Sequence, residues 1–245
     1  MKRSFQFETT SCSLHIMAMA FMLCDHMWGI SLVSHDVFTW IGRLAFPIFA
    51  FLLVEGYFHT GNLKRYAARL LVFAILSEIP FNLVMGSRVF YPIHQNVLWS
   101  FLISVGLIHW NEKVKGRQLW KRITVAIATL CIAYVGGIAT FVDYNHAGIL
   151  TVLTFYYLRG TKWWNYVGQL LCMWFINVEL LQGFGYEISL FGESFFIARQ
   201  GIALLSLIPI WSYRGKQGYH SKRLQYVYYA FYPLHLLILG CLRFV

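Results

Sequence analysis

Long apolar runs, separated by short polar connections, dominate the chain. Nine of them fit helical membrane spans, at about residues 12–33, 37–57, 66–85, 95–110, 122–141, 146–158, 164–182, 195–211 and 226–243. The sixth run is short for a span, so a tilted, broken or re-entrant segment is the alternative to a full crossing there. No internal repeat or long linker divides the chain. The pattern predicts an all-α polytopic membrane protein with one domain, residues 1–245.

The composition favours the same class of protein. Hydrophobic residues make up 58% of the chain and charged residues only 12%, whereas a soluble domain has about 25% charged residues. The basic N-terminus resembles a signal peptide, but the apolar run after it is too long and has no small-residue cleavage site. We therefore expect a retained first span and a multi-pass protein of the bacterial plasma membrane.

Basic residues are distributed unevenly among the predicted loops. If the N-terminus is cytoplasmic, 16 of the 20 Lys and Arg residues lie on the inner side, and only Arg43, Arg88, Arg199 and Arg243 lie in the outer half. This asymmetry predicts an inner N-terminus and an outer C-terminus, and it favours a true crossing at the sixth run. It also accounts for the net charge of +10 without a nucleic-acid partner.

Common soluble-enzyme and metal signatures are missing from the sequence. The five cysteines form no CxxC pair, and no HExxH, P-loop or GxSxG motif is present. We expect neither a metal site nor a disulfide framework, so any chemistry must use polar residues within or next to the spans.

Several ionisable residues lie inside the apolar runs, where charges are costly and need a partner or a water-filled cavity. With a helical rise of 1.5 Å per residue, Asp25 lies about 12 Å below the outer end of the first span, Arg43 about 9 Å below that of the second, and Glu78 roughly 10 Å below that of the third. Further polar residues near the same outer level are Gln95, Asn96, His146 and Arg199. The pattern predicts a polar cluster in the outer third of the membrane.

Asp25 and His26 are adjacent, so on a helix they point about 100° apart. A direct Asp25–His26 dyad is therefore disfavoured. We expect Asp25 to pair with Arg43 at matching depth, which leaves His26 for the cavity. The alternative is a purely structural ion pair beside a hydrogen-bonded core histidine.

The other polar positions have competing interpretations. Glu78 either satisfies the helix break expected at Pro80 or pairs with Arg199. In the HQNVL segment, Gln95 and Asn96 are either a polar helix start with an Asn cap or donors to a carbonyl or oxyanion.

The last two candidates lie in a turn and in the final span. Asp143 and His146 either form a hydrated turn or supply the carboxylate and imidazole of a general base. His235, after Pro233, either bonds a neighbouring carbonyl or lines a passage from the cytoplasm.

Five motifs in combination resemble the TraX family. They are MLCDHMWG in the first run, IGRLAFPIFAFLLVEGYFHTGN, KRYAARLLVFAILSEIPFNL, HQNVL and the late YPLHLLIL. The resemblance covers most of the chain and is strongest from Asp25 to Leu98. The founding member is similar to an acetyltransferase that modifies the N-terminus of conjugative pilin, and the family is related to membrane acyltransferases that use cytoplasmic acyl-CoA.

The resemblance implies acetyl transfer from acetyl-CoA to a peptide amine or a glycan hydroxyl at the outer face. It implies His26 as the catalytic histidine, Arg43 as a residue that orients the acid or polarises the thioester, and Gln95 or Asn96 as oxyanion donors. The basic loop 111–122 is a topology determinant, with phosphate contacts to coenzyme A as the alternative. The pilin substrate itself is not implied, since no pilus context is visible in the sequence.

Two other functions fit the same residues. In a transporter, Asp25, Glu78 and His146 would relay protons or bind an ion, although no inverted repeat is visible. In a non-catalytic assembly factor, the cluster would only stabilise the fold. The sequence leaves the acceptor and homo-oligomerisation open.

Overall fold

The structure is a computed structural model that describes residues 8–190 and 193–243. In chain order its elements are α1 (Ser11–Gly29), α2 (Val37–Gly42), α3 (Ala45–His59), α4 (Leu63–Gly86), α5 (Val97–Val114), α6 (Leu119–Ala139), α7 (Asn145–Tyr157), α8 (Trp163–Trp174) with a π-helical extension (Phe175–Leu180), strands β1 (Gly185–Leu190) and β2 (Glu193–Ala198), a 3₁₀ helix (Arg199–Ser206), α9 (Leu207–Trp211) and α10 (Lys222–Leu242). The predicted helical character is confirmed.

Polar residues fix the starts of four helices. The side chains of Thr10, Asn62, Asn96 and Ser221 each accept a hydrogen bond from a backbone N–H in the first turn of the helix that follows. Such caps satisfy donors that the helix itself leaves unpaired. The polar start expected at HQNVL is therefore present.

Helix α3 lies at the centre of the bundle. Its residues are buried on nearly all sides, with Ile48 and Ala50 fully inaccessible. It packs against α1 and α7, while α4 packs against α10 and α5. A helix that is apolar on every face is typical of such a central position.

The connections gather at two ends of the bundle. The first end holds the turns near residues 60–62, 115–118, 158–162 and 212–221, and the second end holds those near 30–36, 87–96, 140–144 and 181–198. Backbone bonds from Thr9 to Ser212 and from Ser11 to Lys216 close the first end. Lys64, Lys113 and Lys222 lie there as predicted, whereas Lys2 and Arg3 lie outside the described residues. Which end faces the cytoplasm stays a prediction.

The short sixth run, now α7, connects the two ends. The backbone of His146 packs against Gly137 near the second end, and the Tyr157 hydroxyl donates to Asn111 Oδ1 at 2.8 Å near the first. Its 13 residues extend only about 20 Å, which is less than a hydrocarbon core of about 30 Å. Whether α7 crosses the whole bilayer stays a prediction.

Two predicted spans differ from the structure. The second is broken at Arg43 and Leu44 into α2 and α3. The eighth, 195–211, is not one helix, because residues 193–198 form β2 in an antiparallel hairpin with β1 and only 199–211 are helical. The hairpin follows from the two-residue alternation of apolar and polar side chains after Gly185, which is the period of a strand.

Large apolar side chains remain exposed on the outer faces of the bundle. On α6 they include Ile123, Ile127 and Val135. By length and composition, three of the described helical segments are able to cross a membrane: Val37–His59, Leu63–Gly86 and Leu119–Ala139. An apolar belt of this kind supports a membrane protein.

Candidate functional site

The break between α2 and α3 positions the first group of candidate residues. Gly42 packs directly on α1, where an added Cβ would collide with the Asp25 side chain. Only a glycine permits this approach. The next residue, Arg43, is thereby held beside Asp25.

Asp25, Thr39 and Arg43 form a small polar network. Arg43 Nη2 lies 3.6 Å from Asp25 Oδ1 and donates to Thr39 Oγ1 at 3.1 Å. The Thr39 hydroxyl donates to Asp25 Oδ1 at 2.7 Å. The predicted Asp25–Arg43 contact is confirmed, whereas Thr39 was missed because a buried threonine on a helix carries no distinctive sequence signal.

His26 is turned away from Asp25 and pairs with His235 of α10. Their Nδ1 and Nε2 atoms are 2.7 Å apart, and the rings are stacked with centroids 5.0 Å apart. His235 Nδ1 lies 2.7 Å from the Phe231 carbonyl oxygen. Both alternatives for His235 are partly realised: it bonds a neighbouring carbonyl, and it contacts the proposed catalytic histidine.

These contacts fix the proton positions of the neutral pair. His235 Nδ1–H must donate to the Phe231 carbonyl, so His235 Nε2 carries a lone pair and accepts the proton of His26 Nδ1. His26 Nε2 then also carries a lone pair, and it makes no hydrogen bond to the described residues. The pair therefore presents one basic, nucleophilic nitrogen.

Glu78 is held by α5. Its Oε2 accepts hydrogen bonds from Trp99 Nε1 at 3.0 Å and from the Asn96 amide, while Oε1 is buried with no partner in the described structure. Helix α4 continues through Pro80. Glu78 therefore pairs with α5 rather than with Arg199.

Gln95 and Asn96 use their amide donors locally. Asn96 is fully buried, caps α5, and donates to the Ala74 carbonyl at 2.8 Å as well as to Glu78. Gln95 Nε2 donates to the Pro92 carbonyl at 2.8 Å. This geometry favours the structural interpretation of HQNVL over the oxyanion donors.

Asp143 pairs with a different histidine from the one expected. Its Oδ1 lies 3.3 Å from His94 Nε2, whereas His146 packs its ring on Tyr134 and its buried Nδ1 has no partner among the described residues. Asp143 and His146 start a tight turn that points them apart. The carboxylate–imidazole pair is present, but it is Asp143–His94.

Arg199 starts the 3₁₀ helix at the second end. Its guanidinium lies 4.8 Å from the centre of the Trp28 ring and 5.4 Å from that of Phe184. Stacking between two aromatic rings stabilises a cation by about 1 kcal/mol or more. The expected pairing with Glu78 is wrong.

The separate contacts belong to one electrostatic region. The charge of Asp143 acts on His26, Asp25 and Arg43, and Tyr144 interacts with Arg43 through its side chain. The predicted convergence of polar groups near one level is thus present for these residues.

A cavity of about 520 Å³ leads from the first end toward the histidine pair. Its mouth includes His15, His59, Arg69 and His220, and its inner part includes Phe101 and Tyr232. His235 bonds to the carbonyl of Phe231, another lining residue, so the pair lies one helical turn beyond the cavity. A volume of this size is typical of a small-molecule site.

Comparison with known proteins gives the family. The family model described as TraX protein matches residues 11–243. The chain is 26% identical over 252 residues to the probable fimbrial assembly protein FimC, serogroup H1, of Dichelobacter nodosus, with 98% of this chain and 97% of that protein covered. No solved structure matches the chain. The chain therefore belongs to the TraX family.

Proposed function

We propose that this protein is an acyltransferase that moves an acetyl group from cytoplasmic acetyl-CoA to an amine or hydroxyl acceptor at the outer face. The observation that carries the proposal is the hydrogen-bonded pair of His26 and His235, one turn beyond a cavity that opens at the basic first end. A thioester needs little beyond correct positioning and one nucleophile or base.

Acetyl-CoA enters the cavity from the first end. The only acidic residue lining the cavity, as far as the structure describes the chain, is Glu55, and Arg159 neutralises it with a contact of 2.7 Å. Arg69, in contrast, donates only to the Tyr229 hydroxyl at 3.3 Å. This leaves Arg69 to bind a phosphate of the cosubstrate. No residue of the basic loop 111–122 lines the cavity, so we assign no cosubstrate role to that loop.

His26 accepts the acetyl group. Its Nε2 attacks the thioester carbonyl carbon, the carbon–sulfur bond breaks, and the proton on His26 Nδ1 passes to His235 Nε2. The CoA thiolate leaves toward the first end and takes a proton from water. The acceptor then attacks the acetyl carbon, and His26 recovers its proton from His235. Arg43, beside Asp25, stabilises the negative charge that develops on the carbonyl oxygen.

The acceptor is a component of the cell envelope. The name of the similar FimC protein refers to fimbrial assembly, which supports a secreted or pilin-like peptide, with a surface glycan as the second class. Transfer at the second end would place the product where such molecules are found.

Membrane vesicles that contain envelope material and the protein test this proposal. With isotopically labelled acetyl-CoA, we expect label on an envelope peptide or glycan for the wild type and for His35→Ala, a control at an exposed turn. His26→Ala should remove the label. Full labelling by a folded His26→Ala protein would contradict the assignment, and solute flux without labelling would favour a transporter.

A further inference from the structure

A second histidine dyad lies at the second end, outside the acyl-accepting pair. It joins two turns that the backbone already holds together. Gln95 N–H donates to the Phe141 carbonyl and Asp143 N–H donates to the Gln95 carbonyl, both at 2.8 Å. The Ser100 hydroxyl anchors the Asp143 carbonyl at 2.9 Å. His94 and Asp143 are therefore fixed relative to each other.

The His94 ring has one nitrogen committed and one open. Nε2 faces Asp143 at 3.3 Å, and an edge of the ring packs on Phe81 with centroids 5.0 Å apart. Nδ1 makes no hydrogen bond to the described residues, and 37% of the His94 side chain is exposed. When Nε2–H donates to the carboxylate, Nδ1 carries a lone pair toward the outside.

The turn that carries Asp143 is conformationally strained. Phe141, Tyr144 and Asn145 all have left-handed backbone conformations, with φ of 51°, 59° and 46°. Non-glycine residues adopt such conformations at a cost, and they concentrate at functional sites. The strain holds the Asp143 carboxylate between His94 and the His26 region, on which its charge acts.

We propose that His94, oriented by Asp143, is the base that takes the proton from the acceptor. This inference rests on the proposed acetyl transfer. As the acceptor nitrogen or oxygen bonds to the acetyl carbon, its N–H or O–H bond breaks and the proton moves to His94 Nδ1. The bond between the acetyl carbon and His26 breaks, and His94 later releases the proton to outer water. One histidine thus serves the thioester side and the other the acceptor side.

The charges around His94 determine the pH at which it works as a base. The groups that act on it are Asp143, from the turn before α7, and Glu78, from α4. The hydrogen bond to Asp143 raises the pKa of the His94 imidazole above its ordinary value of 6.5, although burial opposes the shift. Because the neutral ring is the active form, the rate should rise with pH through this raised pKa.

Two acceptors of different reactivity separate a base from a structural residue. Hydroxylamine is unprotonated and strongly nucleophilic at neutral pH, whereas glycinamide needs a base. In proteoliposomes supplied with acetyl-CoA, we expect His94→Gln to lower transfer to glycinamide about 100-fold and transfer to hydroxylamine less than about threefold. His35→Gln, at an exposed position of the same end, should leave both rates unchanged. Asp143→Asn should move the acidic limb of the glycinamide profile to lower pH.

Each failure has a different meaning. Equal losses with both acceptors in His94→Gln would assign a structural role to His94, and no loss with either would exclude it from the reaction. An unmoved profile in Asp143→Asn would remove Asp143 as the orienting residue. If the wild-type protein transfers acetyl to neither compound, the proposed function fails and this inference fails with it.

Discussion

Two ion pairs of α2, α3 and their neighbours differ in how completely their partners are used. Arg159 binds Glu55 through two nitrogens, at 2.7 and 3.3 Å, and stacks 4.4 Å from the centre of the Phe58 ring. Arg43 approaches Asp25 through one nitrogen at 3.6 Å. The first pair is saturated, whereas in the second Asp25 Oδ2 makes no hydrogen bond to any described residue.

The difference separates scaffold from candidate chemistry. A carboxylate with both oxygens bound has no remaining capacity for a substrate, and breaking such a pair mainly costs stability. The looser pair lies next to His26 and shares its atoms with Thr39 and Tyr144. Incomplete pairing at this place is consistent with a group that also interacts with a reacting molecule.

The histidine pair should show the largest effect on activity. We expect His26→Gln to lower acetyl transfer at least about 100-fold, since nucleophile and proton acceptor are lost together. At His235, Leu should be nearly as damaging, whereas Asn retains an oxygen that can accept from His26 Nδ1–H. Initial rates normalised to folded protein provide the measurement. Equal rates for the Leu and Asn variants would argue against the proton relay.

The two arginines should differ in the opposite sense for stability. We expect Arg159→Gln to lower the free energy of unfolding by about 2 kcal/mol, because it leaves the buried Glu55 carboxylate without its charged donor. Arg43→Gln should cost about half as much, since only one longer contact to Asp25 is lost. Thermal melting in detergent measures both. The double variant Glu55→Gln/Arg159→Gln should recover part of the loss, and a larger loss for Arg43→Gln would reverse the distinction.

Depth along a helix predicted the looser pair but not its surroundings. Asp25 and Arg43 lie in consecutive spans at similar depth, so their contact follows from helix geometry alone. The His26–His235 contact joins the first and last long helices, and nothing in one sequence fixes which distant helices are neighbours. The hairpin after Gly185 did carry a signal, its two-residue alternation, but a mostly apolar run near a membrane is easily taken for a helix.

The same reasoning explains the exchange of histidine partners at Asp143. Proximity in sequence favoured His146, yet the left-handed residues Tyr144 and Asn145 turn the chain between the two side chains. Backbone pairing of Gln95 with Val142 then brings His94 to the carboxylate. Such pairing depends on tertiary packing and leaves no local pattern.

The cavity end allows a smaller, selective effect to be tested. Arg69 lines the cavity, whereas Arg65, one turn earlier on α4, is exposed and does not. We expect Arg69→Gln to raise the KM for acetyl-CoA about tenfold, the loss of roughly one charge-assisted hydrogen bond, with Arg65→Gln unchanged. With S-acetyl-N-acetylcysteamine, a thioester without phosphate, the Arg69 variant should match the wild type. An equal loss with both thioesters would show that Arg69 shapes the cavity rather than binding phosphate.

The smallest expected effect concerns stability at the second end, where His94 and Asp143 form a partly exposed pair. Because Asp143 raises the pKa of His94, protonated His94 stabilises the folded state; this contribution is complete below pH 6.5 and is lost as pH rises through the raised pKa. Screening limits it to about 0.5 kcal/mol. His94→Gln should therefore lower the melting temperature slightly at pH 5.5 and not at pH 9, and Glu55→Gln should show no such loss confined to acidic pH. A His94→Gln deficit that is equal at both pH values would mean that packing on Phe81, not the charge pair, holds the two turns together.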